Sequence, residues 1–259
     1  MSLDFLQPDD QFTYAKRKTD ESWIQFMKEM INFEGKKVLD IGCGGGIYTK
    51  AIAEMGAAQV IGVDFSEKML TAAKEYCQGY DTVQFIHGNA IETGLDSDQY
   101  DIVLERALIH HIRELEPCLY EVFRLLKPGG TCIIQDRTPE DCLLEGSPTH
   151  IRGYFFSMYP HLIEKEVARR HTSGEVVRKL QHLGFQNISE NKLWEIRRVY
   201  EYQEDLWDDL RNRTGRSILH ELNDQQLNSL IKDLQLTLKD CFPLIEKDRW
   251  TVWAANKNS

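Results

Sequence analysis

Apolar positions along the first half of the chain change period repeatedly. The runs "KKVLDI", "QVIGVD", "VQFIHG", "YDIVLE" and "GTCIIQD" read as strands, and the segments between them carry the 3.6-residue spacing of amphipathic helices. "SEKMLTAAKEYC" opens on a Ser66 cap, while "PCLYEVFRLL" begins at Pro117 in a first helical turn and stops ahead of "KPGG". Alternation at this density requires right-handed crossovers. They produce a parallel, doubly wound α/β sheet that binds ligands at the carboxyl ends of its strands.

Beyond Gln135 the rhythm changes. "TPEDCLLEGSPTHIRGYFFSMYP" reads as turn-rich and aromatic, "TSGEVVRKLQHLGF" as a capped helix and "QNISENKLWEIRRVY" as a further strand. From about Glu201 to Lys247 the pattern is helical, with Leu227, Leu230, Ile231, Leu234 and Leu238 on one stripe, and "RWTVWAANK" predicts a closing strand. The expected organisation is an N-terminal helical segment over 1–35, a core over 36–199, a helical insertion over 200–248 and a last strand over 249–259.

A chain of 259 residues with 42% hydrophobic content supplies a core for one large domain. No apolar run approaches the roughly 20 residues that cross a bilayer, and "MSLDFLQPDDQF" lacks a secretion-signal pattern, so a cytoplasmic chain with no membrane partner is expected. Cys43, Cys77, Cys118, Cys132, Cys142 and Cys241 are scattered with no C-x-x-C pair, which favours reduced thiols over a zinc site or disulfides. The net charge of −10 disfavours nucleic acid as a partner. Oligomeric state is not readable.

The chemistry concentrates in "VLDIGCGGGIYTKAI", where Asp40 precedes a cluster of glycines. A dinucleotide fingerprint would carry glycine where Ile47 stands, and the Asp40 carboxylate beside a helix N-terminus would repel a pyrophosphate. The same carboxylate suits a cationic ligand. "VLDIGCGGG", "GVDFSEKML", "GNA", "YDIVLERALIHHI" and "RLLKPGG", in that order over about Lys36 to Asp136, resemble the class I S-adenosylmethionine-dependent methyltransferases, especially the bacterial small-molecule type.

The resemblance implies a Rossmann-like seven-stranded sheet with the last strand antiparallel, and a helical insertion serving as a substrate lid. S-adenosylmethionine would be the cofactor, and a small molecule the acceptor, with a carboxylate-bearing one among the candidates. Asp40, Gly42, Cys43 and Gly44 would hold its methionine end, Asp64 its ribose hydroxyls, and Asn89 with Ala90 the adenine edge. Phe65 and Met69 would cover the adenine, although their i,i+4 spacing serves core packing equally well. Glu105 and Arg106 would lie under the methyl group or form an ion pair at the rim.

Methyl transfer is an in-line displacement that needs alignment and exclusion of water rather than a metal. A base is required only when the acceptor is a hydroxyl or an ammonium group. His110 and His111 are the candidates for that base, with packing of the following helix as the other reading. Tyr14, Arg17, Tyr154, Phe155, Trp207, Arg213 and Arg216 are the candidate lid and acceptor contacts. Arg213 and Arg216 would clamp a carboxylate, unless Arg213 pairs with Asp209 at i,i+4 on a solvent face. "ERAL" replaces the base-stacking turn of the nucleic-acid enzymes. A domain that binds S-adenosylmethionine without catalysis is the alternative function, and a nicotinamide oxidoreductase a distant third.

Overall fold

The computed structural model describes residues 19–258. Five strands alternate with helices in the first half: β1 (Lys37–Ile41), β2 (Gln59–Asp64), β3 (Val83–His87), β4 (Tyr100–Arg106) and β5 (Leu126–Asp136). Helices α1 (Glu21–Met30), α2 (Ile47–Glu54), α3 (Glu67–Tyr76) and α4 (Leu115–Leu125) flank them. The second half adds α5 (Pro139–Cys142), α6 (Arg152–Met158), α7 (His161–Val167), α8 (Ser173–His182), β6 (Phe185–Tyr200), α9 (Gln203–Arg211), α10 (Asp224–Thr237) and β7 (Leu244–Lys257). The strands form one sheet in the order β3-β2-β1-β4-β5-β7-β6, parallel except that β7 runs against both β5 and β6. This is the doubly wound architecture with an antiparallel last strand.

Strand parity assigns each residue to a face. Leu39 and Ile41 of β1 and Val103 of β4 pack with Leu119 and Val122 of α4 and with Val176 and Leu180 of α8. Val38, Ile102 and Leu104 point the other way, onto Trp23 and Met27 of α1 and Ile52 of α2. Each of these fully buried aliphatic side chains contributes about 1.5–3 kcal/mol relative to exposure. Asp40 shares the face of Val38, and Arg106 that of Leu104, so both come to the α1–α2 side.

A third cluster sits outside the sheet. Phe155 and Phe156 of α6 pack with Leu206, Trp207 and Leu210 of α9 and with the α10 stripe Leu227, Leu230, Ile231 and Leu234. The cap of α10 is a reciprocal pair in which Asn223 Oδ1 accepts from the Gln226 N–H at 2.9 Å and Gln226 Oε1 from the Asn223 N–H at 3.0 Å.

Two elements differ from the expectation. The turn-rich stretch after Gln135 contains α5, started by a Thr138–Asp141 capping box, and α6, whose aromatic residues belong to the helical cluster. Strand β7 begins at Leu244, ahead of the expected Arg249, and pairs Leu244 with Tyr200. Its buried positions include Leu244, Glu246, Asp248 and Trp250, so the inward alternation is carried partly by acids and escapes a hydrophobicity pattern.

Candidate active site

Strands β1 and β2 end side by side, and the glycine turn folds back onto the second. The N–H groups of Gly42 and Cys43 donate to the Val63 carbonyl at 2.7 and 3.1 Å, and that of Gly44 donates to Asp64 Oδ2 at 2.9 Å. Gly42 has φ +75°, and a Cβ there would meet Leu108 Cδ1 at 2.9 Å, so only glycine fits the turn without strain. Asp64 Oδ1 accepts from the Ser66 N–H at 2.9 Å. Each carboxylate oxygen is thereby aimed by one backbone donor and keeps a lone pair for a second, an arrangement suited to two vicinal hydroxyls.

Asp40 is 2% exposed, and Thr49 Oγ1 donates to its Oδ2 at 2.6 Å. Burial pushes the Asp40 carboxyl up to about 6, with the Thr49 hydrogen bond pulling the other way and the Asp64 charge adding to the rise. A cation placed beside it would favour the ionised form.

These groups open into one cavity of about 1640 Å³, large enough for a nucleoside cofactor and a second molecule. Asp40, Gly42, Cys43, Gly44, Asp64, Phe65 and Met69 line one end, with Asn89 and Ala90 beside them. Asn89 Oδ1 accepts from the Ile91 N–H at 3.1 Å, which closes a turn there. Arg106, His110, His111, Arg213 and Arg216 line the remainder. Two carboxylates over a glycine backbone suit S-adenosylmethionine, which brings positive charge and vicinal hydroxyls but no phosphate.

Several expected site residues lie elsewhere. Glu105 has the parity of Val103 and points under α4, where Cys118 Sγ donates to its Oε1 at 2.9 Å; burial pushes its carboxyl up to about 7. Trp207 is 1% exposed and belongs to the helical cluster, while Tyr154 packs on that cluster's edge; neither lines the cavity. Tyr14 and Arg17 fall outside the described residues.

The expected guanidinium clamp is engaged within the protein. Arg213 Nη2 and Nε donate to the carbonyls of Leu222 and Leu219, each at 3.1 Å, and Nη2 also meets Asp224 at 2.9 Å. Arg216 Nη2 meets Glu246 at 2.7 Å and the Tyr200 hydroxyl at 3.1 Å. The i,i+4 pairing of Asp209 with Arg213 does not form, because α9 ends at Arg211 and Arg213 has φ +52°. Asp209 instead accepts from Arg198 at 2.8 Å and from Tyr200 at 2.7 Å.

His110 is the better placed histidine. Its Nδ1 lies 2.8 Å from Asp136 Oδ2, and its backbone N–H reaches the same oxygen at 3.2 Å. Asp136 is buried, yet His110, Arg170 and the Arg137 N–H hold its carboxyl well below the usual carboxylate range. An ionised Asp136 must accept, so Nδ1 carries the proton and Nε2 keeps its lone pair. Burial keeps His110 below its ordinary value despite that acid, and burial together with His110 pushes His111 down to about 3. Both rings are uncharged at neutral pH.

Arg106, named from the sequence, forms an ion pair in the cavity, and several residues around it escaped sequence reasoning. Arg106 Nη2 bridges both oxygens of Glu195 at 2.8 and 2.7 Å, and its guanidinium stacks on Tyr48 at 3.8 Å and on Trp250 at 4.7 Å. Tyr48 and Gln135 complete the Glu195 shell at 2.6 and 2.9 Å. Arg137, Arg152, Arg169 and Arg170 line the same cavity as the histidines. Tyr48 lies in α2, Gln135 in β5, Arg137 just after it, Arg152 in α6, Arg169 and Arg170 after α7, Glu195 in β6 and Trp250 in β7, so no local spacing links them.

A family model described as a methyltransferase domain matches residues 32–190. The chain is 34% identical over 130 residues to a demethylmenaquinone methyltransferase of Lysinibacillus sphaericus, covering 49% of this chain and 52% of that protein. It is also 34% identical over 110 residues to a ubiquinone biosynthesis O-methyltransferase of Methylococcus capsulatus, covering 42% and 46%. The chain thus spans about half the length of the curated relatives it matches.

Among solved structures, the fold is shared with a phosphoethanolamine N-methyltransferase 2 of Haemonchus contortus in complex with phosphomonomethylethanolamine and S-adenosylhomocysteine. The TM-score is 0.63 at 20% identity, over 99% of this chain and 60% of that one. It is also shared with a SAM-dependent methyltransferase of Aquifex aeolicus, with TM-score 0.58 and 16% identity over 97% and 99% of the two chains. Glycine turn, paired strand-end acids, sheet order and the matched model agree, and the chain belongs to the methyltransferase-domain family.

Proposed function

We propose that the protein is an S-adenosylmethionine-dependent methyltransferase acting on a small organic acceptor. The observation that carries this reading is the pair of strand-end carboxylates, Asp40 and Asp64, sharing one cavity end with a close glycine backbone. When bound, the cofactor supplies an electrophilic methyl carbon on a sulfonium. Asp64 accepts from the ribose hydroxyls, Asp40 balances the positive charge, and the glycine turn lets the backbone approach. The relatives' names, a demethylmenaquinone methyltransferase and a ubiquinone biosynthesis O-methyltransferase, support a small-molecule acceptor over a nucleic acid.

His110 is the group that takes a proton from the acceptor. Its Nε2 is the unprotonated nitrogen, Asp136 holds the ring and tautomer, and the charge that arrives on the imidazole is stabilised by that carboxylate. This role assigns a hydroxyl or ammonium acceptor, since a carboxylate or thiolate attacks without losing a proton.

Replacing Asp64 tests the reading. Asp64→Ala should weaken S-adenosylmethionine binding by about 1–3 kcal/mol through lost charge-assisted hydrogen bonds. Unchanged affinity in titration calorimetry would remove Asp64 from the cofactor site. Transfer of labelled methyl to a metabolite pool by the wild type, abolished in this variant at limiting cofactor, establishes catalysis; tight binding with no transfer to any acceptor contradicts it.

A further inference from the structure

In the cavity that holds His110 and His111, four guanidiniums outnumber the carboxylates that pair with them among the described residues. Arg152, Arg169 and Arg170 all converge on the single carboxylate of Glu166, and Arg170 also reaches Asp136 at 2.9 Å. Among the described residues, the carboxylate that pairs with the Arg137 guanidinium is Asp248, at 3.8 Å and beyond hydrogen-bonding distance. Four guanidiniums therefore share three carboxylates, and one of those, Asp136, is also drawn on by His110.

The donors are underused as well. Arg137 Nε and Nη1, Arg152 Nε and Arg169 Nε are buried with no hydrogen-bond partner among the described residues. The Arg152 side chain is 8% exposed and that of Arg137 14% exposed. Burial, and after it the neighbouring Arg137 charge, pull Arg152 below the ordinary arginine range. Trp250 stacks under Arg137 at 4.3 Å and fixes its plane. Buried, unpaired charged donors destabilise a fold unless something else uses them.

We propose that Arg137 and Arg152, seconded by Arg169, form the subsite for a doubly charged oxyanion on the acceptor, a phosphate monoester or a pair of carboxylates. A lone carboxylate is satisfied by one bidentate guanidinium, whereas spare donors on several guanidiniums match an oxyanion with three or more acceptor oxygens. The subsite residues line the same cavity as Asp40, Asp64 and His110. The acceptor is then held by its anionic end with its reactive group toward the histidine and the methyl donor. This deepens the methyltransferase reading and rests on it for the word acceptor; the anion site itself does not.

Titration calorimetry on the whole chain tests it with inorganic phosphate, malonate and acetate as probes, each at matched ionic strength against chloride. Phosphate or malonate should bind at least about tenfold more tightly than acetate, and which of the two binds better separates a phosphoryl from a dicarboxylate end. Arg137→Gln should weaken that binding by about tenfold or more, and Arg137→Lys should recover only part of it. Arg137 is the variant of choice because Arg152 is tied into the buried Glu166 cluster. Folding of each variant is verified by its melting curve, and S-adenosylmethionine affinity is measured on the same samples. Equal binding of the three probes, or undiminished binding in folded Arg137→Gln, overturns the subsite. Loss of S-adenosylmethionine binding in the wild type with anion binding intact would instead strike the cofactor reading alone.

Discussion

Asp40 shows how one side chain joins burial to ligand choice. Its carboxyl is pushed up to about 6 by burial, so below that pH the fold holds it uncharged. A cationic ligand prefers the ionised form, and binding below pH 6 must release a proton. Affinity for S-adenosylmethionine should therefore be roughly tenfold weaker at about pH 5 than at about pH 8, flattening above the transition. Calorimetry across that range checks it, and Asp40→Asn should flatten the profile. His110 makes a separate demand on the rate. His110→Gln keeps a polar side chain but no base, and should lower kcat by about 10²–10⁴ with cofactor affinity unchanged. An unaltered rate and pH profile would leave His110 with a packing role. Asp40, Gly42, Asp64 and His110 were legible because each sits beside a strand end that periodicity locates. Asp136 was not, because its relation to His110 spans two strands.

Strand β7 is the element in which sequence pattern and structure part. Glu246 faces inward, accepts from Arg197 at 3.1 Å and the Tyr200 hydroxyl at 3.2 Å on β6, and joins β7 to the helical insertion through Arg216 at 2.7 Å. Glu246→Ala would leave two buried guanidiniums short of a partner and should cost about 3–5 kcal/mol, read as a fall in the unfolding midpoint in urea. A loss under about 1 kcal/mol would mean that the network is solvated. The same burial of charge explains why the strand's first turn of alternation was unreadable: an inward glutamate looks like an outward one. The parallel strands β1, β2 and β4 were readable for the opposite reason, since both of their faces are covered and their apolar runs are nearly continuous.

On the scale of the whole molecule, two sets of buried acids pull stability in opposite directions with pH. Asp40 and Glu105, pushed up to about 6 and about 7 by burial, bind protons in the fold that the unfolded chain has already released, so stability falls as pH rises through that window. Asp136, Glu166 and Asp248, held low by arginines and by His110, act in reverse. Their contribution is complete above the ordinary carboxylate range and is lost as the pH falls below it. The ligand-free protein should thus melt at its highest temperature near about pH 5, with decline on both sides, which a melting series in low salt measures. A net charge of −10 gave no hint of this arrangement, because the arginines collect around one cavity while the acids are distributed over the chain.

Under the proposed function, this cavity end accepts a nucleoside carrying positive charge and rejects one carrying phosphate. Competing S-adenosylmethionine, S-adenosylhomocysteine, ATP and NAD in titration calorimetry at neutral pH tests it most directly. The first two should bind saturably, with binding lost on Asp64→Ala, and the nucleotides should not bind at that site. Binding of ATP or NAD that Asp64→Ala abolishes, with indifference to S-adenosylmethionine and S-adenosylhomocysteine, would contradict it.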